Sequence, residues 1–226
     1  MIVKKIQNIV ENSHQTLVPG SLGVERKFDA HYWLQNIINT KNQLAEDANF
    51  SLESINDMQR RRFIDNFGFS IPNRQAIEAI RSYSPHGVTE IGAGLGYWTY
   101  LLNKNNIPTV GVDEYYPLKN PWFSPEYNIN KIEYIENIVV SDAVEYLQKD
   151  DPKKTLLMVW ADEYSDDAIS KYRGDTIIMV GEGEDGCTDT GGLFDKEEIE
   201  WEIIDMISLP RFIDCFDSLT IHKRKK

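Results

Sequence analysis

The sequence predicts an α/β fold: a seven-stranded, mostly parallel sheet with an antiparallel edge pair, preceded by an N-terminal helical segment. Three observations carry this expectation. After Pro85, short apolar runs alternate with stretches of helical periodicity, the pattern of strands joined by crossover helices. Before Pro85, apolar residues recur at helical spacing. Between the last two strand-like runs, residues 208–217 show no clear helix, so those two strands suit direct antiparallel pairing.

The elements follow in order. From Asp29 to about Asp47, Leu34, Ile37, Ile38 and Leu44 form one helical stripe. A second helix fits residues 52–66, with Ile55, Met58 and Ile64 inward. Pro72 blocks continuation, since it lacks an N–H and clashes with the preceding turn. Asn73 then caps a third helix whose inner face is Ile77 and Ile80. The strand candidates are residues 87–91, 109–113, 138–140, 155–160, 176–181, 201–207 and 218–222. Helices fit at 97–103, 143–149, 165–172 and 194–199. Residues 1–75 therefore read as a helical extension or lid, and 76–226 as the sheet domain.

With 226 residues, 41% hydrophobic and 27% charged, the chain has an ordinary globular composition. Its size buries a core without disulfide or metal support. Thirty-six acidic against 24 basic residues give a net charge of −12, a field that repels phosphate backbones and argues against a nucleic-acid partner. The basic end, His222-Lys223-Arg224-Lys225-Lys226, reads as a solvated tail or a nucleic-acid contact. Cys187 and Cys215 have neither zinc spacing nor the number for a disulfide framework, which suggests a reducing compartment. The opening residues lack a signal-peptide apolar run, and no stretch approaches the ~20 apolar residues of a membrane span. Cytoplasm is the expected location.

The strongest local signal is Glu90-Ile91-Gly92-Ala93-Gly94-Leu95-Gly96-Tyr97-Trp98. A buried strand runs into closely spaced glycines and then a helix, so the backbone can turn tightly and a ligand can approach it. Asp113 ends the next strand, where a carboxylate can accept both ribose hydroxyls of an adenosine ligand. The spacing is G-x-G-x-G, and Tyr97 occupies the third-glycine position of the dinucleotide fingerprint G-x-G-x-x-G/A. A bulky residue there opposes a pyrophosphate. A sulfonium nucleoside has none.

Residues 88–113 resemble motifs I and II of class I, Rossmann-like S-adenosylmethionine-dependent methyltransferases. The wider pattern over 66–226 is similar to a poorly characterised methyltransferase-like subgroup. It shares the aromatic entry at 67–72, the glycine loop, and the Gly-Glu-x-x-x-Gly-Cys-Thr stretch from Gly181 to Thr188. The resemblance implies S-adenosylmethionine as cofactor. Gly92, Ala93, Gly94 and Gly96 would wrap its methionine part, with Trp98 alongside. Asp113 would hold the ribose, and Glu90 would orient the methionine end or a loop amide. Asp142, with Ala143, would meet the adenine amino group. The spacing Asp142-x-x-Glu145 is equally a helix capping box. Phe67 and Phe69 read as a lid over the cofactor or as core.

Ligands of open α/β sheets sit at the carboxyl ends of the strands. The fourth strand candidate ends in Trp160-Ala161-Asp162-Glu163-Tyr164. Amino-methylating relatives often carry Asn/Asp-Pro-Pro-Tyr there, and only the tyrosine matches, which counts against N-methylation of a base or amide. Asp162 and Tyr164 are the candidate catalytic residues. Asp162 or Glu163 serves as a general base, or they join Glu182, Glu184 or Asp185 around Mg²⁺, or the loop is simply solvated. No metal is expected on balance. Cys187 reads as a buried thiol rather than a nucleophile, and His31 as a surface or core histidine rather than a substrate contact. The expected activity is methyl transfer to a small-molecule or protein acceptor. The rivals are a nicotinamide-dependent oxidoreductase and a non-catalytic binding or scaffold protein on the same fold.

Overall fold

The computed structural model describes residues 60–61, 63–65, 67–115, 119–123, 138–161, 164–182, 188, 200–210, 212 and 215–225. The helices expected at 29–47 and 194–199, and most of that at 52–66, lie outside these residues. Phe63, Ile64 and Phe67 take helical backbone and are buried. The elements that follow are α1 (Arg74–Tyr83), β1 (Val88–Ile91), α2 (Tyr97–Lys104), β2 (Thr109–Asp113), β3 (Ile138–Val140), α3 (Ala143–Lys149), β4 (Thr155–Val159), α4 (Tyr164–Lys171), β5 (Thr176–Gly181), β6 (Trp201–Ser208) and β7 (Ser218–Arg224).

The strands form one sheet in the order β3-β2-β1-β4-β5-β7-β6. β1 to β5 pair in parallel, whereas β7 runs antiparallel between β5 and β6. This is the mostly parallel α/β sheet with an antiparallel edge that the sequence predicts. The chain builds outward from β1 to β3 on one side, then returns to lay β4 and β5 on the other. The switch point falls between β1 and β4, where a crevice opens at the carboxyl ends.

Alternation along the strands sorts the core into two layers. Val88, Leu157, Ile178, Val180 and Ile221 pack with Ile77, Ile80 and Leu101 of α1 and α2. Ile91, Val112, Leu156, Met158 and Ile177 pack with Leu147 and Ile169 of α3 and α4. Strands covered on both faces read as unbroken apolar runs, as β5 does. The expected cap is formed: Asn73 Oδ1 accepts from the Ala76 N–H at 2.8 Å. The Asn73 amide also donates to the Ser208 carbonyl at 3.0 Å, tying the start of α1 to the end of β6. The expected strand at 155–160 stops at Val159, because Trp160 leaves the extended region with φ 51. No helix among the described residues is long and apolar enough to cross a membrane.

Candidate cofactor-binding site

The loop after β1 turns at Gly92, Gly94 and Gly96, with φ of 69, 55 and 83. These left-handed values are those a Cβ disfavours, which is the physical reason for glycine at alternate positions. The loop lies against bare backbone of β2. A Cβ on Gly111 would stand 2.7 Å from Thr99 Oγ1 and 3.0 Å from the Ala93 Cβ. The Ala93 N–H donates to the Val112 carbonyl at 3.0 Å, and the Gly96 N–H donates to the Ala93 carbonyl at 2.7 Å.

Asp113 joins the loop to the next strand. Its Oδ2 accepts from the Gly94 N–H at 2.7 Å. Its Oδ1 accepts from the Tyr115 N–H at 2.9 Å and from Asn120 Nδ2 at 3.3 Å. Burial pushes the Asp113 carboxyl upward, and the Tyr115 and Gly94 amides oppose that shift. Glu90, on β1, points beneath α2 and accepts from the Thr99 hydroxyl at 2.6 Å. It is only 2% exposed, and burial pushes it up to about 7 against the lowering effect of Thr99. The site therefore holds two buried carboxyls with little positive charge beside them, an arrangement suited to a cationic ligand.

A cavity of ≈ 480 Å³ opens here, within the range of small-molecule sites of about 300–1,000 Å³. Glu90, Gly92, Ala93 and Gly94 line it, as do Trp98, Asp113, Asp142 and Ala143. Gly96 is instead the N-cap of α2, and its contribution is the turn. Asp142 both borders the cavity and caps α3, its Oδ1 accepting from the Glu145 N–H at 2.8 Å. Trp98 is buried with its indole N–H unpartnered. Tyr97 is buried with its ring 5.0 Å from that of Phe67, so the third-glycine position is filled by packed aromatic bulk.

Aromatic rings also line the cavity. Phe69 stacks on Trp160 with centroids 5.5 Å apart, and lies 6.1 Å from Phe123. Phe123 in turn lies over the glycine loop, since a Cβ on Gly94 would meet its ring at 3.0 Å. Both entry aromatics border the cavity and touch the core: Phe67 is buried within the core cluster, and Phe69 packs against it from a half-buried position. Trp160 holds a left-handed backbone that costs a bulky residue on the order of 1–3 kcal/mol. Its indole N–H donates to Asp217 Oδ1 at 3.1 Å. Burial pushes the Asp217 carboxyl up to about 6.

Asp162, Glu163, Glu184, Asp185 and Cys187 lie outside the described residues, and so does the side chain of Tyr164, whose backbone opens α4. Glu182 accepts from the Phe216 N–H at 3.3 Å, and its own N–H donates to Thr188 Oγ1 at 2.8 Å. No group of carboxylates, histidines or cysteines fit to hold a metal occurs among the described residues. Sequence reasoning missed Tyr115, Asn120, Phe123, Trp160 and Thr188 as lining residues. Asn120 sits seven positions beyond Asp113 with no periodicity to flag it, and Trp160 read as the last residue of a strand.

No protein-family model matches the chain, and no curated protein matches it. Solved methyltransferases are similar to it. Magnesium protoporphyrin IX methyltransferase from Synechocystis PCC 6803, with bound S-adenosylmethionine, is 12% identical with a TM-score of 0.47, covering 76% of this chain and 94% of that one. Precorrin-6y C5,15-methyltransferase from Geobacter metallireducens GS-15 is 14% identical with a TM-score of 0.44, covering 69% and 91%. The 1,6-didemethyltoxoflavin-N1-methyltransferase of Burkholderia thailandensis, with bound S-adenosylhomocysteine, is 14% identical with a TM-score of 0.44, covering 68% and 77%.

Proposed function

We propose that this chain is a cytoplasmic methyltransferase that binds S-adenosylmethionine and methylates a small molecule or a protein side chain. The observation that carries the reading is the Asp113 carboxylate, bonded to the Gly94 N–H at 2.7 Å inside the cavity at the sheet's switch point. The residues fit the cofactor. The glycine turns leave room for close approach of its methionine part, Trp98 offers an unpartnered buried donor, Asp113 matches its ribose, and Glu90, which an adjacent cation would ionise, is assigned to its positive end. Asp142 and Ala143, which border the cavity, are assigned to the adenine.

When bound, S-adenosylmethionine supplies an electrophilic methyl carbon on a sulfonium sulfur. The chain's part is to align an acceptor lone pair with that carbon and to exclude water, and alignment supplies most of the advantage. Asp162 and Tyr164, which follow β4 in the sequence, are assigned to the acceptor. The acidic net charge disfavours nucleic acid. Tyr97, packed on Phe67 where a dinucleotide fold needs a small residue, disfavours a nicotinamide cofactor.

Thermal melts with each ligand test this. S-adenosylhomocysteine at 100-fold excess over its dissociation constant should stabilise the fold by about 2.7 kcal/mol, and NADH should not shift the melt. A shift with NADH alone refutes the reading.

A further inference from the structure

Besides the glycine loop, the cavity is lined by residues around the end of β4. Toward β4 it continues between Phe69, Trp160, Phe123 and Thr188. Trp160 is the unusual residue of this end. It is a bulky side chain at φ 51, a conformation that persists only where the surroundings over-determine it. Here they do so from three directions. Phe69 stacks on the indole at 5.5 Å with 19° between planes, the Arg60 guanidinium sits 5.0 Å from the ring centroid, and Asp217 takes the indole N–H. Asp217 is itself buried and lies just before β7, far from the loop in sequence. Strain held this firmly in the lining of a cavity is characteristic of a ligand clamp.

Resting on the cofactor reading above, we infer that Phe69, Trp160 and Phe123 form the acceptor-side wall of the cavity, that the acceptor is a planar aromatic small molecule, and that Asp217 is the positioning residue that fixes Trp160. Phe69 and the Arg60 guanidinium engage the Trp160 π system, so the wall meets a flat ring through edge-to-face contact and gives a saturated ring of equal size only apolar burial. Thr188 is the polar side chain of this end among the described lining residues and can meet one heteroatom of the ring.

The test uses the full chain, with and without S-adenosylhomocysteine, titrated with quinolin-2-one and with its ring-saturated lactam. Affinities are read by calorimetry, and the Trp160 indole N–H resonance is followed by NMR. Quinolin-2-one should bind about 10-fold more tightly than the saturated lactam and shift that resonance. Trp160→Leu should lose about 10-fold for quinolin-2-one, Trp160→Phe should retain most of the affinity, and both should bind S-adenosylhomocysteine as the unaltered chain does. Asp217→Asn, which keeps an acceptor for the indole, should behave as the unaltered chain, whereas Asp217→Leu should behave as Trp160→Leu. Equal binding of flat and saturated rings overturns the inference. So does loss of S-adenosylhomocysteine affinity in Trp160→Leu, which would place the wall on the cofactor. If the unaltered chain fails to bind S-adenosylhomocysteine, the cofactor reading falls, while the ring titrations on the chain alone still decide the wall. If Asp217→Leu does not fold, the two Trp160 variants carry the decision.

Discussion

Replacing Glu90 by glutamine isolates the cost of ionising a buried carboxyl beneath the glycine loop. Below pH 4.5 Glu90 is protonated in folded and unfolded chains alike. Between 4.5 and about 7 the unfolded chain ionises while the folded chain keeps its proton, so stability falls as pH rises across that window. The rise from 4.5 to about 7 corresponds to about 3 kcal/mol, fully developed above pH 7. Desolvation is the main cause, and the Thr99 hydroxyl at 2.6 Å offsets part of it. Glutamine keeps the shape and an acceptor for Thr99 and cannot ionise. The stability of Glu90→Gln relative to the unaltered chain should therefore climb by about 3 kcal/mol between pH 4.5 and 8. Urea unfolding at half-unit pH steps measures this, and other titrating groups largely cancel in the difference. A difference that stays flat with pH refutes the argument that the carboxyl is held neutral by burial.

Three further outcomes follow from the same geometry. Asp113→Ala strips acceptors from the Gly94 and Tyr115 N–H groups, so it should lower stability by about 1–3 kcal/mol and weaken S-adenosylhomocysteine binding together; a melt shift without an affinity change would remove Asp113 from the ligand site. Gly111→Ala drives a Cβ to 2.5 Å from Ile138 Cδ1 and 2.7 Å from Thr99 Oγ1, and overpacking there should cost about 1–3 kcal/mol in denaturant unfolding, whereas an unchanged midpoint would show that the loop is not seated on β2. Burial holds His222 down at about 4 against an ordinary 6.5, so it makes stability rise as pH rises through that window; NMR titration should find its ring neutral at pH 6, and a ring that titrates near 6.5 would contradict the buried β7 setting.

What was legible in the sequence is what local physics fixes. The Asn73 cap depends on residues three apart, and the glycine turns on the backbone of one short loop. The position of Asp113 beside the glycine loop is legible because a parallel neighbour strand must end beside β1, and β1 pairs with β2 in register from Val88↔Thr109 to Ile91↔Val112. Asp142 reads two ways in the sequence, and in space it caps a helix and borders the cavity. The β4 end escaped. Trp160 meets a partner 57 residues away, and nothing in the run Leu156–Trp160 announces a left-handed residue after four extended ones. Phe123 covers Gly94 from a segment without periodicity, so only the folded chain brings them together.

The position of β7 inside the sheet reaches further than the edge it completes. Ser218 pairs with Gly181 on β5 and with Ser208 on β6, and Asp217 immediately precedes it. A slip of one residue in that ladder would turn Asp217 to the opposite face and release the indole it holds. Substitutions on the outermost strands, well outside the crevice, can therefore alter what the crevice accepts without touching a residue that lines it.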